Sequence, residues 1–287
     1  MEILQELPID QWPVLQEKLK TLWPMNIPGY YALYINLKYS KMREVFDVKV
    51  YCPYGDMENG FVGILDIHGQ KTVILFSITE DTSKIEEALI KTNLIDRSKK
   101  VCYDIVNSLT VKIFEKVKGT PGFEICEIYP AEMYHLVGST KPFEDMRTPD
   151  NTYLARVKDE HIKRVDETWP YQHSSSHLYF TTLASIGLSY GLYSSDTHEL
   201  ISWVFINEYC FLCHFYCEEK FRKRGYGEFV LKSAVNDLLK DGNDVYAYIV
   251  PGNKKPHSVF KKLGFVEVDD SAFVFAESPV KKNKTMN

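Results

Sequence analysis

The sequence predicts a mixed α+β (α/β mixed) protein built on a central mixed, largely antiparallel sheet. Three observations carry that expectation. Strand-like apolar runs such as "ELISWVFI" and "DVYAYIV" alternate with amphipathic stretches of helical period. Three such runs follow one another between residues 188 and 217 with only short turns between them, as antiparallel neighbours do. A basic, glycine-containing loop then leads from the last of these into a helix.

In chain order, "IDQWPVLQEKLKTLW" (9–23) reads as a short helical region and "GYYALYINL" (29–37) as an aromatic-rich strand. "VFDVKVYC" is a further strand, and "FVGILDI" and "TVILFSI" form a hairpin around His68-Gly69-Gln70. Ser83 and Glu86 have capping-box spacing for a helix through Lys91. This half offers no catalytic constellation. Residues 138–151 lack periodicity and carry two prolines, which marks a linker.

Beyond the linker, "TYLARV" is a strand, and "KDEHIKRVDETW" and "SSHLYFTTLASIG" are helices. "LSYGLYSS", "ELISWVFI" and "YCFLCHFYC" are consecutive strands turning near Asp196-Thr197 and Asn207-Glu208. In the next helix Val230, Leu231, Ala234, Val235 and Leu238 form one apolar stripe that stops at Lys240-Asp241-Gly242. The strand "DVYAYIV", a short helix and the strands "FVEV" and "AFVFAE" complete the order β-α-α-β-β-β-α-β-α-β-β.

Composition narrows the function. With 45% hydrophobic and 14% aromatic residues the chain has ample material for a core, which excludes a disordered tail protein. A net charge of −5 argues against a general nucleic-acid binder, so a basic patch must be local. No apolar run approaches the ~20 residues of a membrane helix. The first arginine is Arg43, and Glu2 and Glu6 precede it, so no Arg-rich presequence is visible and an intracellular protein is expected.

Six cysteines are spread thinly without a CxxC pair, so free thiols are expected. Cys210, Cys213 and Cys217, with His214, invite a metal reading. On one continuous strand, however, Cys210 would face away from Cys213 and Cys217, so packed core thiols and no metal are expected. His214 reads as a buried, satisfied histidine.

The local charge lies in "EEKFRKRGYGEFVL" (218–231). Here a strand turns into an amphipathic helix whose first N–H groups lack intrahelical partners and lie at the positive dipole end. Gly225 and Gly227 permit close approach of a phosphate, and Arg222, Lys223 and Arg224 surround it with positive charge. A P-loop would need GxxxxGK[ST], which is absent, and "GYGEFV" falls one glycine short of a dinucleotide motif. A solvated basic turn is the plain alternative.

The same residues resemble the Gcn5-related N-acetyltransferase (GNAT) superfamily, whose pyrophosphate loop reads [Q/R]xxGx[G/A]. Arg222, Lys223, Arg224, Gly225, Tyr226 and Gly227 fit every fixed position, and Asn253, Phe260, Gly264 and Phe265 match a second element downstream. Within that superfamily residues 150–270, including Ser202-Trp203, resemble the glycine N-acyltransferase group. The resemblance implies a degenerate GNAT-like N-terminal domain (1–137), the linker (138–151), an acyl-CoA-binding GNAT domain (152–277) and a polar tail (278–287).

The implied reaction is transfer from acyl-CoA, as co-substrate, to the amino group of glycine or a similar small amine. By the same resemblance, backbone groups of Phe215, Tyr216 and Cys217 hold the thioester carbonyl. Residues 222–227 cradle the pyrophosphate, and Asn253 and Phe260 sit on the cofactor side. The resemblance also makes the location cytoplasmic or mitochondrial. Two departures stand out. Phe260 occupies the position of a frequent general-acid tyrosine, and Lys220 that of the glycine N-acyltransferases' proposed base, leaving neighbouring Glu218 and Glu219 as candidates. Alternatives are an acetyltransferase acting on a protein or an arylalkylamine, and a non-catalytic acyl-CoA-binding protein.

Overall fold

The computed structural model describes residues 2–144 and 146–278; the expected polar tail lies, from residue 279 onward, outside the described residues. The first half runs β1 (Leu4–Glu6), α1 (Trp12–Leu19), α2 (Ile27–Lys38), α3 (Ser40–Val45), β2 (Lys49–Pro53), β3 (Phe61–Ile67), β4 (Gln70–Phe76), α4 (Ser83–Lys91), β5 (Val101–Val106), α5 (Val111–Val117) and β6 (Ile125–Leu136). The second runs β7 (Thr152–Ala155), α6 (Asp159–Glu167), α7 (Ser176–Ile186), β8 (Ser189–Ser194), β9 (Leu200–Ile206), β10 (Leu212–Cys217), α8 (Tyr226–Lys240), β11 (Val245–Ile249), α9 (Lys254–Lys262) and β12 (Val266–Glu277). The chain divides into two compact units, with the cuts falling inside α2, near the end of α3, and inside β6 and β12.

In the first unit, β1, β2, β3 and β4 pair antiparallel in sequence, β5 runs parallel to β4, and Ala272–Ala276 of β12 pairs with β5. The β3–β4 hairpin turns at His68-Gly69, as the sequence predicts. The apolar face of α4 (Ile85, Ala88, Leu89) and that of α5 (Ile113, Phe114, Val117) join a buried cluster with Val73, Leu75 and Tyr103. The expected Ser83–Glu86 box is not what starts α4. The Asp81 carboxylate accepts the Ser83 N–H at 2.9 Å instead.

The largest departure is 29–37, expected as a strand and found inside helix α2. Burial recurs at 27, 28, 29, 31, 32, 33, 35 and 36, so the helix has no polar face to betray its period, while its aromatic content imitates a strand. Pro28, in the first turn where a missing N–H costs nothing, was the available helix signal.

The second unit orders its strands β6-β11-β10-β9-β8-β7. β7, β8, β9 and β10 pair antiparallel in sequence, β11 is parallel to β10, and β6 antiparallel to β11. Helix α8 packs on β8, β9 and β10 through the stripe predicted for it, and Val230, Leu231, Ala234 and Val235 are fully buried. The two closing strands are one continuous strand, β12. Residues 138–144 and 146–151 hold neither helix nor strand, yet Phe143 is tied to α8: its N–H donates to Asn236 Oδ1 (2.7 Å) and its carbonyl accepts from Asn236 Nδ2 (2.9 Å). Among the described residues no helix is long and apolar enough to cross a membrane.

Candidate functional site

The site grows from two irregularities in β10. Its register against β9 shifts between Cys213 and Tyr216, so three steps along β10 match two along β9. His214, with φ 45°, sits in this bulge. A bulge resets the alternation of faces, and this corrects the cysteine reading. Cys210 lies before the strand with φ 70°, and Cys213 and Cys217 take opposite faces, opposite Phe205 and Ser202 respectively. Burial raises all three thiols, and Cys210 reaches about 12. No group of three or more His, Cys, Asp or Glu suited to a metal occurs among the described residues.

The second irregularity is that β10 meets its parallel neighbour β11 only at Leu212↔Ala247. Further along, Phe215–Cys217 have no registered partner on β11 among the described residues, although β9 still pairs with Tyr216 and Cys217. The strands part at the residues where the family resemblance implies a thioester carbonyl.

Beyond the bulge, Phe215 and Cys217 face α8, and Tyr216 and Glu218 face α6. On the α8 side a pocket of about 200 Å³ is bounded by Phe215 and Cys217, by Phe221, Arg222, Lys223 and Gly225 of the loop, by Tyr226, Gly227 and Glu228 at the start of α8, and by Val259 of α9. Lys223 (φ 63°) and Gly225 (φ 81°) both adopt the left-handed region. Such turns make backbone N–H groups converge into an anion-binding concavity. A side chain on Gly227 would meet the Phe215 ring at 3.0 Å, so glycine is needed there for close packing of loop on strand.

Helix α8 begins with no side-chain cap, and its first intrahelical bond into the loop runs from the Phe229 N–H to the Gly225 carbonyl (2.9 Å). The N–H groups of Tyr226, Gly227 and Glu228 therefore lack intrahelical acceptors. Glu228 would repel an anion there, but Lys232 (2.8 Å) and Lys262 (2.5 Å) neutralise it and, as hydrogen-bond donors, hold its carboxyl below the usual range.

Of the expected cofactor-side residues, the structure gathers Phe215, Cys217, Arg222, Lys223, Gly225, Tyr226 and Gly227 around this pocket. Arg222 is a structural tie as well as a charge: Nε donates to the Cys217 carbonyl (2.9 Å) and Nη1 to Glu219 (3.0 Å), and its guanidinium lies over the Tyr216 ring. Arg224 lies over Phe221 outside the pocket lining, Tyr216 is on the opposite sheet face, and Asn253 is exposed at the N-terminus of α9. Phe260 is 4% exposed and packs edge-on against Phe265, so it is a core ring rather than a pocket wall.

The two candidate bases differ. Glu219 is 80% exposed and pairs with Arg222. Glu218 is 13% exposed and held by Arg164 of α6 in a fork, Nε to Oε1 at 2.6 Å and Nη2 to Oε2 at 2.8 Å. Lys220 pairs with Glu199. His214 Nε2 donates to the Val165 carbonyl (2.7 Å), and burial lowers its pKa to about 4, so it is neutral and satisfied. Sequence reasoning missed Arg164, Phe221, Glu228 and Val259. The Arg164–Glu218 pair spans 54 positions, a contact no local pattern announces.

Residues 189–274 match the family described as FR47-like protein. A comparison with curated proteins returned no significant match. Among solved structures, a protein of Drosophila aligns at TM-score 0.84 and 19% identity, covering 96% of this chain and 99% of its own. A tandem GNAT protein from the clavulanic acid biosynthesis pathway aligns at 0.58 and 13% identity (97% and 99% covered). A GCN5-related N-acetyltransferase from Sphaerobacter thermophilus aligns at 0.52 and 9% identity (81% and 82% covered). The second half matches an FR47-like domain, and the chain as a whole carries the tandem GCN5-related N-acetyltransferase fold.

Proposed function

We propose that the protein is an acyl-CoA-dependent N-acyltransferase, carrying an acyl group from acyl-CoA to the amino group of glycine or a similar small amine. The activity is assigned to residues 152–277. The observation that carries the reading is the corner between β10 and α8. There two left-handed residues, an uncapped helix start and a pocket of about 200 Å³ meet beside a strand that has parted from its neighbour. That combination suits the diphosphate of CoA, with the thioester carried to the free edge of Phe215–Cys217.

In this reading the loop orients the co-substrate, and backbone N–H groups at the free edge take up the charge that develops on the carbonyl oxygen. Glu218 or Glu219 accepts the amine proton. Departure of CoA needs no acid at Phe260, because a thiolate is a good leaving group. A second reading, acyl-CoA binding without turnover, draws on Glu218, whose two oxygens are both engaged by Arg164.

Thiol release from acetyl-, benzoyl- and longer-chain acyl-CoAs, with and without glycine, decides between them. Glycine-dependent release is expected. Tight acyl-CoA binding with no release for any amine would establish the second reading.

A further inference from the structure

The Arg164–Glu218 fork lies on the sheet face opposite the pocket, so it meets whatever approaches the free edge of β10 from the α6 side. Glu218 directly follows Cys217, the last residue of that edge. The two partners are unequally reachable: the Arg164 side chain is 49% exposed and Glu218 only 13%. Arg164 Nη1 takes no part in the fork. A newcomer therefore meets a half-free guanidinium first and a carboxylate second.

We propose that Arg164 is the anchor for the carboxylate of an α-amino-acid acceptor, and that capture of that carboxylate unlatches Glu218 as the base. This deepens the acyl-transfer reading above and rests on it. An amino-acid zwitterion carries the charges the fork already pairs. Its carboxylate binds Arg164 as Glu218 did, one carboxylate exchanging for another in the same bidentate geometry. Its ammonium is left beside the freed Glu218, next to the thioester edge.

The step balances. The ammonium gives one proton to Glu218, and its nitrogen bonds to the thioester carbon. The carbon–sulfur bond breaks and the electron pair leaves on sulfur. The thiolate takes the second proton lost by nitrogen, and Glu218 returns its own to water. An amine without a carboxylate cannot unlatch the fork, so the site selects against arylalkylamines and against lysine side chains of proteins.

The test uses the full chain, with direct calorimetric binding of acetyl-CoA and benzoyl-CoA alongside thiol release to glycine and to glycinamide, its uncharged counterpart. The wild type is expected to prefer glycine at least tenfold in kcat/KM. Arg164→Gln should raise the KM for glycine at least tenfold and abolish the preference, with acyl-CoA affinity unchanged. Arg164→Lys, which keeps the charge without the fork, should recover part of it. Glu218→Gln should lower kcat with glycine more than it raises KM. A merely structural ion pair would shift acyl-CoA binding and both amines together.

Equal use of glycine and glycinamide by the wild type, or a preference that survives Arg164→Gln, overturns this inference while leaving acyl transfer standing. Absence of acyl-CoA binding by the wild type overturns the acyl-transfer reading itself.

Discussion

Gly225 and Gly187 make a matched pair from which the loop's role can be measured. Both have positive φ (81° and 86°), and a Cβ added at either would meet nothing within 4 Å. Alanine at either position therefore introduces left-handed backbone strain alone, about 1–2 kcal/mol. For a chain of this size that should lower the melting temperature by about 2–8 °C in Gly187→Ala, where the strain stays in the free protein. Their positions differ: Gly187 ends α7, and Gly225 shapes the corner before α8. In Gly225→Ala the loop relieves its strain by leaving the left-handed region in the free protein. Acyl-CoA must then restore it, so affinity should fall by about five- to thirtyfold, the same 1–2 kcal/mol read as binding. Gly187→Ala should bind as the wild type does. Gly225→Asn, a residue more tolerant of that region, should fall between. Calorimetric titration with acetyl-CoA, paired with thermal unfolding, reads both quantities. Full affinity in Gly225→Ala, or an equal loss in Gly187→Ala, would refute the argument.

Four further outcomes follow from the same geometry. His214 takes up a proton near pH 4 when folded and near 6.5 when unfolded, so the unfolded state binds more protons between these values. Stability should fall by about 3 kcal/mol as pH drops through that window, and urea unfolding of His214→Gln should show a flatter pH dependence. Arg224→Ala should weaken acetyl-CoA binding at low salt and hardly at high salt. Arg222→Ala also loses the bond to the Cys217 carbonyl, so its defect should persist in both. Phe260→Tyr should leave thiol release unraised and cost about 1–3 kcal/mol in urea unfolding, because it buries a hydroxyl where the ring is 4% exposed. Calorimetric stoichiometry should be one acetyl-CoA per chain; two would mean that the corner between β4 and α4 also binds.

What could be read from sequence was what repeats locally. The stripe of α8, the glycines before it and the three antiparallel strands are short-range patterns, and each stands where it was expected. The failures share a cause in longer-range packing. Helix α2 is buried almost all round, so its period vanished and its tyrosines passed for a strand. The bulge at His214 depends on how β10 pairs with β9, and without it the faces of Cys213 and Cys217 could not be assigned. Residues 138–151 carry no local pattern, so the bonds that Asn236 makes to Phe143, 93 positions away, could not be read from them. In the candidate site, the glycine-containing turn into α8 was legible because it is contiguous in sequence. The fork on Glu218 was not, because its other half lies on a different helix.

The two halves of the chain also explain why the proposed reaction should use only one such corner. Each half runs through the same sequence of parts: a strand, helices, three antiparallel strands, a helix, a strand parallel to the last of them, another helix and a closing strand. The corner between β4 and α4 matches that between β10 and α8 in topology, yet its residues 77–82 (SITEDT) contain neither glycine nor a basic side chain. The Asp81 carboxylate already occupies the start of α4 by accepting the Ser83 N–H, and that bond holds its carboxyl below the usual range. A fixed negative charge there excludes another anion. At the second corner the N-cap residue, Gly225, has no side chain to cap the helix, two residues turn left-handed, and the nearby carboxylate of Glu228 is neutralised by two lysines. Topology thus supplies the helix dipole in both halves, and local side chains decide whether it is filled from within or left for a ligand.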